Sequence, residues 1–145
     1  HNGNWGFLYN TTTDEIAIAP VYDCGSCLYP QADEAIMRDT IDKQPERDLR
    51  TFSIPLSSIK VNGKKINYFD FISSLENADC NKALKRILPK INMDAIFRIV
   101  DETPFISDLQ KQFYKTMLRT RKERILDFAM EKLRKSEKAK ELDAR

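Results

Sequence analysis

Apolar and polar positions alternate over the first stretch of the chain and then give way to helical spacing. Phe7-Leu8-Tyr9 and Ile16-Ala17-Ile18-Ala19 flank a polar turn, Asn10-Thr11-Thr12-Thr13-Asp14-Glu15. β-Branched and aromatic runs bounded by turn residues predict one β-hairpin within residues 1–23, ending at Pro20-Val21-Tyr22-Asp23. Cys24-Gly25-Ser26-Cys27-Leu28-Tyr29-Pro30 follows as a loop, with Gly25 where the backbone turns. Ala32, Ala35 and Ile36 share one side of a short helix predicted from Ala32 to Ile41, and the polar, Pro45-containing stretch from Asp42 to Asp48 reads as a connection. A second hairpin is expected near residues 54–68. There Phe52-Ser53-Ile54-Pro55-Leu56 and Ile59 to Tyr68 surround Asn62-Gly63, a strong two-residue hairpin signal.

Helical periodicity takes over after that. Phe71, Ile72 and Leu75 predict a helix from about Tyr68 to Leu75. Ala83, Leu84, Ile87 and Leu88 predict another, capped by Asp79 and ending at Pro89. Ile96, Phe97 and Val100 predict a third, capped near Asn92. A long final helix is expected from about Pro104 to Ala139, with Pro104 in its first turn. Its stripe of Phe105, Leu109, Phe113, Met117, Ile125, Phe128, Ala129 and Leu133 advances by mixed steps of three and four. The stripe fades beyond Leu133, so Lys135 to Arg145 reads as a frayed or disordered tail. The expected fold class is α+β, mostly helical: one domain over 1–145, with the hairpin and its loop in 1–30 and a helical body in 31–145.

At 145 residues, 41% hydrophobic and 32% charged, the chain has the composition of an ordinary soluble domain with a real core. No apolar run is long enough to span a bilayer, and no secretory leader is evident. Three cysteines, an odd number, argue against a disulfide framework and for a reducing compartment, so the expectation is a cytoplasmic protein. Asn10-Thr11-Thr12 is read as turn chemistry rather than a glycosylation acceptor. Between Ser107 and Arg145 there are 12 Lys/Arg against 7 Asp/Glu, so a net +5 there faces −3 in the rest of the chain. The run Arg119-Thr120-Arg121-Lys122-Glu123-Arg124 lacks interleaved stacking aromatics. It reads as the solvated face of a helix pairing with Asp127 and Glu131, and direct nucleic-acid binding is not expected.

The chemistry-bearing feature is the pair Asn4 and Asp23. One hairpin separates them and brings both to one edge, where an amide oxygen and a carboxylate suit a hard cation such as Mg²⁺. Cys24-Gly25-Ser26-Cys27 is the competing motif, a redox pair or half of a zinc site. Zinc wants four ligands, however, and Cys80 and His1 stand at no ligand spacing to it. A redox pair of the thioredoxin type needs a βαβ frame that the pattern lacks.

His1-Asn2-Gly3-Asn4-Trp5-Gly6-Phe7-Leu8, followed by Ile18-Ala19-Pro20-Val21-Tyr22-Asp23, resembles the C-terminal catalytic region of the HipA-like serine/threonine kinases. That family's pattern is Asp-x-His-x-x-Asn, a hairpin, then Ala-Pro-x-[Tyr/Phe]-Asp. His1 and Asn4 match its first half, and Ala19, Pro20, Tyr22 and Asp23 its second. The resemblance implies that Asn4 and Asp23 bind Mg²⁺. It also implies that His1, Asn2, Gly3, Asn4, Tyr22 and Asp23 line an ATP site. It further implies ATP and Mg²⁺ as cofactors, a Ser or Thr hydroxyl on a protein as substrate, and a DNA-binding, antitoxin-like partner. Gly3 stands where family members commonly carry Lys. The family's catalytic Asp lies two positions before the His, so the 145 residues are expected to be a piece of something longer, inactive alone. Two other readings stay open: a helical interaction module without catalysis, or a CxxC redox or metal protein.

Overall fold

The structure is a computed structural model and describes residues 4–143; His1, Asn2 and Gly3 lie outside the described residues. The chain divides into two units, His1–Asp33 and Glu34–Arg145. Among the described residues no helix is long and apolar enough to cross a membrane.

In the first unit, β1 (Phe7–Asn10) pairs antiparallel with β2 (Glu15–Ile18), Phe7 opposite Ile18 and Asn10 opposite Glu15. Ala19 N–H extends the ladder to Gly6 O at 2.8 Å. The turn closes as its residues dictate. Asn10 Oδ1 accepts from Thr12 N (3.0 Å) and Thr13 N (3.3 Å), a local alternative to continued strand pairing, and Asp14 takes the left-handed region at φ 58°. Tyr9 O–H donates to Asp14 Oδ1 at 2.5 Å, and this bond raises the phenol's pKa above its ordinary value. Beyond β2, a single 3₁₀ turn spans Gly25–Leu28.

The second unit is mostly helical. It begins with α1 (Glu34–Asp42) and α2 (Gln44–Asp48), and α2 runs into a wide π-turn at Leu49–Ser53. The expected connection at 42–48 is therefore mostly helix: Pro45 stands in the first turn of α2, where a missing amide hydrogen costs nothing. The second hairpin is shorter than expected. Only β3 (Lys60–Val61) and β4 (Lys64–Lys65) pair, around Asn62 and Gly63 at φ 51° and 78°, and Phe52 and Ser53 belong to the π-turn instead.

Three capped helices follow. In α3 (Tyr68–Ser74) the Asn67 side chain accepts from Phe69 N–H, and in α5 (Met93–Glu102) Asn92 accepts from Ala95 N–H. The helix between them, α4 (Ala78–Ile87), is capped by Asn77 and not by Asp79, which falls inside its first turn. Pro104 does not open the last helical run either. A reciprocal cap of Ser107 with Gln110 opens α6 (Asp108–Arg121). A second π-turn, Lys122–Asp127, joins α6 to α7 (Phe128–Asp143). Helix thus continues through most of the expected frayed tail. Glu131–Lys135 (2.6 Å) supports it locally, and Lys85–Glu137 (2.5 Å) ties it to α4.

Phe113 and Met117 from α6, Ile125 from the π-turn, and Ala129, Met130 and Leu133 from α7 form the buried spine. Met37, Leu84 and Val100 are buried with them, from α1, α4 and α5. Leu84, Ala129 and Met130 form one cluster, with Ile72, Leu88 and Leu126 packed on it. Phe113 and Met117 have no exposed surface, and each contributes roughly 1.5–3 kcal/mol by leaving water.

The basic run is a solvated face only in part: Arg119 and Glu123 are exposed, while Thr120, Arg121, Lys122 and Arg124 are half-buried. Arg119 stacks on the Phe97 ring at 4.9 Å, and Arg121 Nη2 donates to Arg50 O (3.1 Å) and Ile54 O (3.4 Å). Lys122 binds both oxygens of Asp127, as the sequence suggested. Arg124 instead pairs with Asp48 and lies 4.7 Å from the Phe52 centroid. Glu131 pairs with Lys135, outside the run.

Candidate functional site

Asn4 and Asp23 meet. Across 19 positions of sequence, Asn4 Nδ2 donates to the main-chain oxygen of Asp23 at 2.8 Å and to its carboxylate Oδ2 at 3.1 Å. The β1–β2 ladder and the Ala19–Gly6 bond set this up by bringing residues before β1 beside residues after β2. Tyr22 adds a brace, its O–H donating to Trp5 O at 3.2 Å. The brace uses a backbone carbonyl, so nothing in the identity of Trp5 advertised it. The Trp5 ring meets Phe7 edge-on with centroids 5.6 Å apart. Asp23 holds φ at 50°, a left-handed backbone that Asp tolerates better than most residues, and its side chain is exposed.

An exposed carboxylate beside a carboxamide offers two hard oxygen donors of the kind Mg²⁺ prefers, so the donor chemistry fits that ion. Among the described residues no group of three or more His, Cys, Asp or Glu side chains converges on a metal position. That is compatible with Mg²⁺, which is commonly held by one or two protein groups with phosphates and water filling the remaining positions. His1, Asn2 and Gly3, the other residues expected to line this site, lie outside the described residues.

Cys24 and Cys27 follow directly. Neither is in a disulfide and both are exposed, Cys27 N–H donates to Cys24 O at 2.9 Å, and Cys24 Sγ lies 3.7 Å from Tyr22 O. Cys80, the third cysteine, sits on α4 in the second unit, where burial pushes its thiol pKa up.

The chain is similar to a serine/threonine protein kinase. One relative is Serine/threonine-protein kinase CtkA of Helicobacter pylori (strain J99). It is 48% identical over 130 residues, a match that covers 89% of this chain and 40% of that protein. Among solved structures, the crystal structure of a Helicobacter pylori proinflammatory kinase CtkA matches with a TM-score of 0.83 and 46% identity, over 94% of this chain and 50% of that one. No protein-family model matches. The chain is thus homologous to a serine/threonine kinase over most of its own length, while spanning half or less of the relatives' length.

Proposed function

We propose that these residues are the C-terminal lobe of an ATP- and Mg²⁺-dependent serine/threonine protein kinase of the HipA-like type. The supporting observation is the Asn4–Asp23 contact, at the two positions where the family pattern has its metal ligands. The 48% identity to a serine/threonine kinase supports the same reading. Asn4 and Asp23 would hold the metal. When bound, Mg²⁺ offsets the negative charge of the ATP phosphates. Asn4 contributes a second role, orienting the Asp23 carboxylate through its bond to Oδ2 and steadying the Asp23 backbone through its bond to the main-chain oxygen. Tyr22 keeps the segment before Asp23 against the strand that follows Asn4, so both donors stay at one edge. On this reading His1, Asn2 and Gly3 complete the wall of the nucleotide site. The Asp that orients the acceptor hydroxyl and takes its proton lies outside these 145 residues, as does the N-terminal lobe. The isolated chain then transfers no phosphate. The substrate class is a Ser or Thr hydroxyl on a protein, and a DNA-binding, antitoxin-like partner belongs to the same family reading.

The test is calorimetric titration of ATP into the parent protein with and without Mg²⁺. Asn4→Ala and Asp23→Ala should each weaken Mg²⁺-dependent binding about ten-fold or more, roughly 1.4 kcal/mol. Unchanged Mg²⁺-dependent binding in both variants would overturn the assignment.

A further inference from the structure

The second unit carries an open cavity of about 400 Å³, lined by Phe52, Phe69 and Phe128 on one side. Glu123, Arg124, Asp127 and Glu131 complete the lining. The three rings form a continuous ledge. Phe52 and Phe69 lie edge to face with centroids 4.9 Å apart, and Phe69 and Phe128 are 5.8 Å apart at 32°. Phe128 is 46% exposed, although it sits on the helical run that supplies most of the core.

Aromatic faces attract cations, and several rings side by side are the usual way to receive an ammonium or guanidinium group. The chain already uses this ledge in that way, since Arg124 stacks over Phe52. Charge points the same way. Three carboxylates line the cavity against one guanidinium, and that guanidinium is itself paired with Asp48. Asp127 is occupied by Lys122 and Glu131 by Lys135 on the exposed rim, while among the described residues Glu123 has no ion-pair partner. Both wide turns of the unit contribute: Phe52 comes from Leu49–Ser53, and Glu123, Arg124 and Asp127 come from Lys122–Asp127. Such turns are rare and recur at functional sites.

We propose that this cavity docks a lysine or arginine side chain presented by a basic peptide segment of a protein partner. Its volume suits one long side chain. The carboxylates run from 123 to 131, about 12 Å at the α-helical rise per residue, farther than a single small cation reaches. That spread selects a peptide bearing several basic residues over a free amine. Every lining residue lies in the Glu34–Arg145 unit, so the proposal stands apart from the Asn4–Asp23 site.

The experiment is fluorescence anisotropy of the full chain with a labelled octapeptide alternating Gly and Arg, at physiological ionic strength. A matched peptide with citrulline for Arg keeps the shape and removes the charge. The Arg peptide should bind at least about ten-fold more tightly than its citrulline counterpart. Glu123→Gln combined with Glu131→Gln should weaken binding about three- to ten-fold, and so should Phe128→Leu, which keeps apolar bulk without a ring. Asp79→Asn and Glu102→Gln, exposed acids that do not line the cavity, should leave affinity unchanged, and all variants should melt with the wild type. Equal binding of the two peptides, equal loss in the remote variants, or an indifferent Phe128→Leu would overturn the proposal.

Discussion

Asn67 does two jobs with one carboxamide, and they can be separated by substitution. Its Oδ1 accepts from Phe69 N–H at 2.7 Å and caps α3, while its Nδ2 donates to Phe52 O at 2.5 Å and pins the first π-turn to that cap. Losing a helix cap costs about 1 kcal/mol. Losing a half-buried hydrogen bond to a carbonyl costs about 0.5–1.5 kcal/mol. Asn67→Ala removes both, so a loss of roughly 2 kcal/mol is expected. Asn67→Asp keeps the cap and adds a negative charge at the positive end of α3, worth about 0.3–1 kcal/mol, but forfeits the donor. Its net loss should stay at or below about 1 kcal/mol. Thermal and urea unfolding followed by far-UV circular dichroism should rank the proteins wild type, then Asp, then Ala. The steps correspond to roughly 4 °C per kcal/mol for a chain of this size. An Asp variant as unstable as the Ala variant would show that the cap is idle, and an unaffected Ala variant would refute both roles.

Two further outcomes follow from titrating groups. Tyr9 is neutral when it donates to Asp14, so its contribution is present below the ordinary phenol pKa and is lost as pH rises through the raised value. Asp14→Asn should therefore move Tyr9 ionisation to lower pH in an ultraviolet titration, and an unmoved curve would discount the bond. Burial holds the Cys80 thiol protonated to higher pH than an ordinary cysteine, whereas Cys24 and Cys27 are exposed. At mildly alkaline pH iodoacetamide should label Cys24 and Cys27 before Cys80, as mass spectrometry of timed samples would register, and Cys80 labelling first would contradict this.

The sequence pattern announced both hairpins and the order of the helices, because turn chemistry and helical spacing are local signals. Asn10, Asn62-Gly63 and Asn92 act where their side chains and backbone freedom say they should. The misreadings share a cause, in that one residue had two lawful uses. Pro45 can end a helix or begin one, and here it begins α2. Asn77 and Asp79 are both capping types, and only position 77 has the extended backbone that a cap needs. The π-turns left a trace in the stripe of mixed three- and four-residue steps, a trace shared with any gently irregular helix. The strength of the internal ties on Arg121 and Arg124 was invisible, since Arg50, Ile54 and Asp48 lie far away in sequence. At the candidate site, the meeting of Asn4 with Asp23 was foreseeable because a hairpin enforces it. The brace from Tyr22 to the Trp5 carbonyl was not.

The widened winding at Lys122–Asp127 makes the length of this helical run a phase setting. Removing one residue inside that turn would let the helix close to regular pitch with its downstream faces near their present azimuth, because a wide turn takes up one extra residue. The same deletion within α6 would turn everything downstream by about 100°. Leu133 would then swing out of the interior, and Phe128 and Glu131 would leave the cavity wall together. A single-codon deletion in α6 would therefore do more harm than the same deletion in the wide turn. An insertion and a deletion placed on either side of it could cancel, restoring the downstream azimuth without restoring the original sequence.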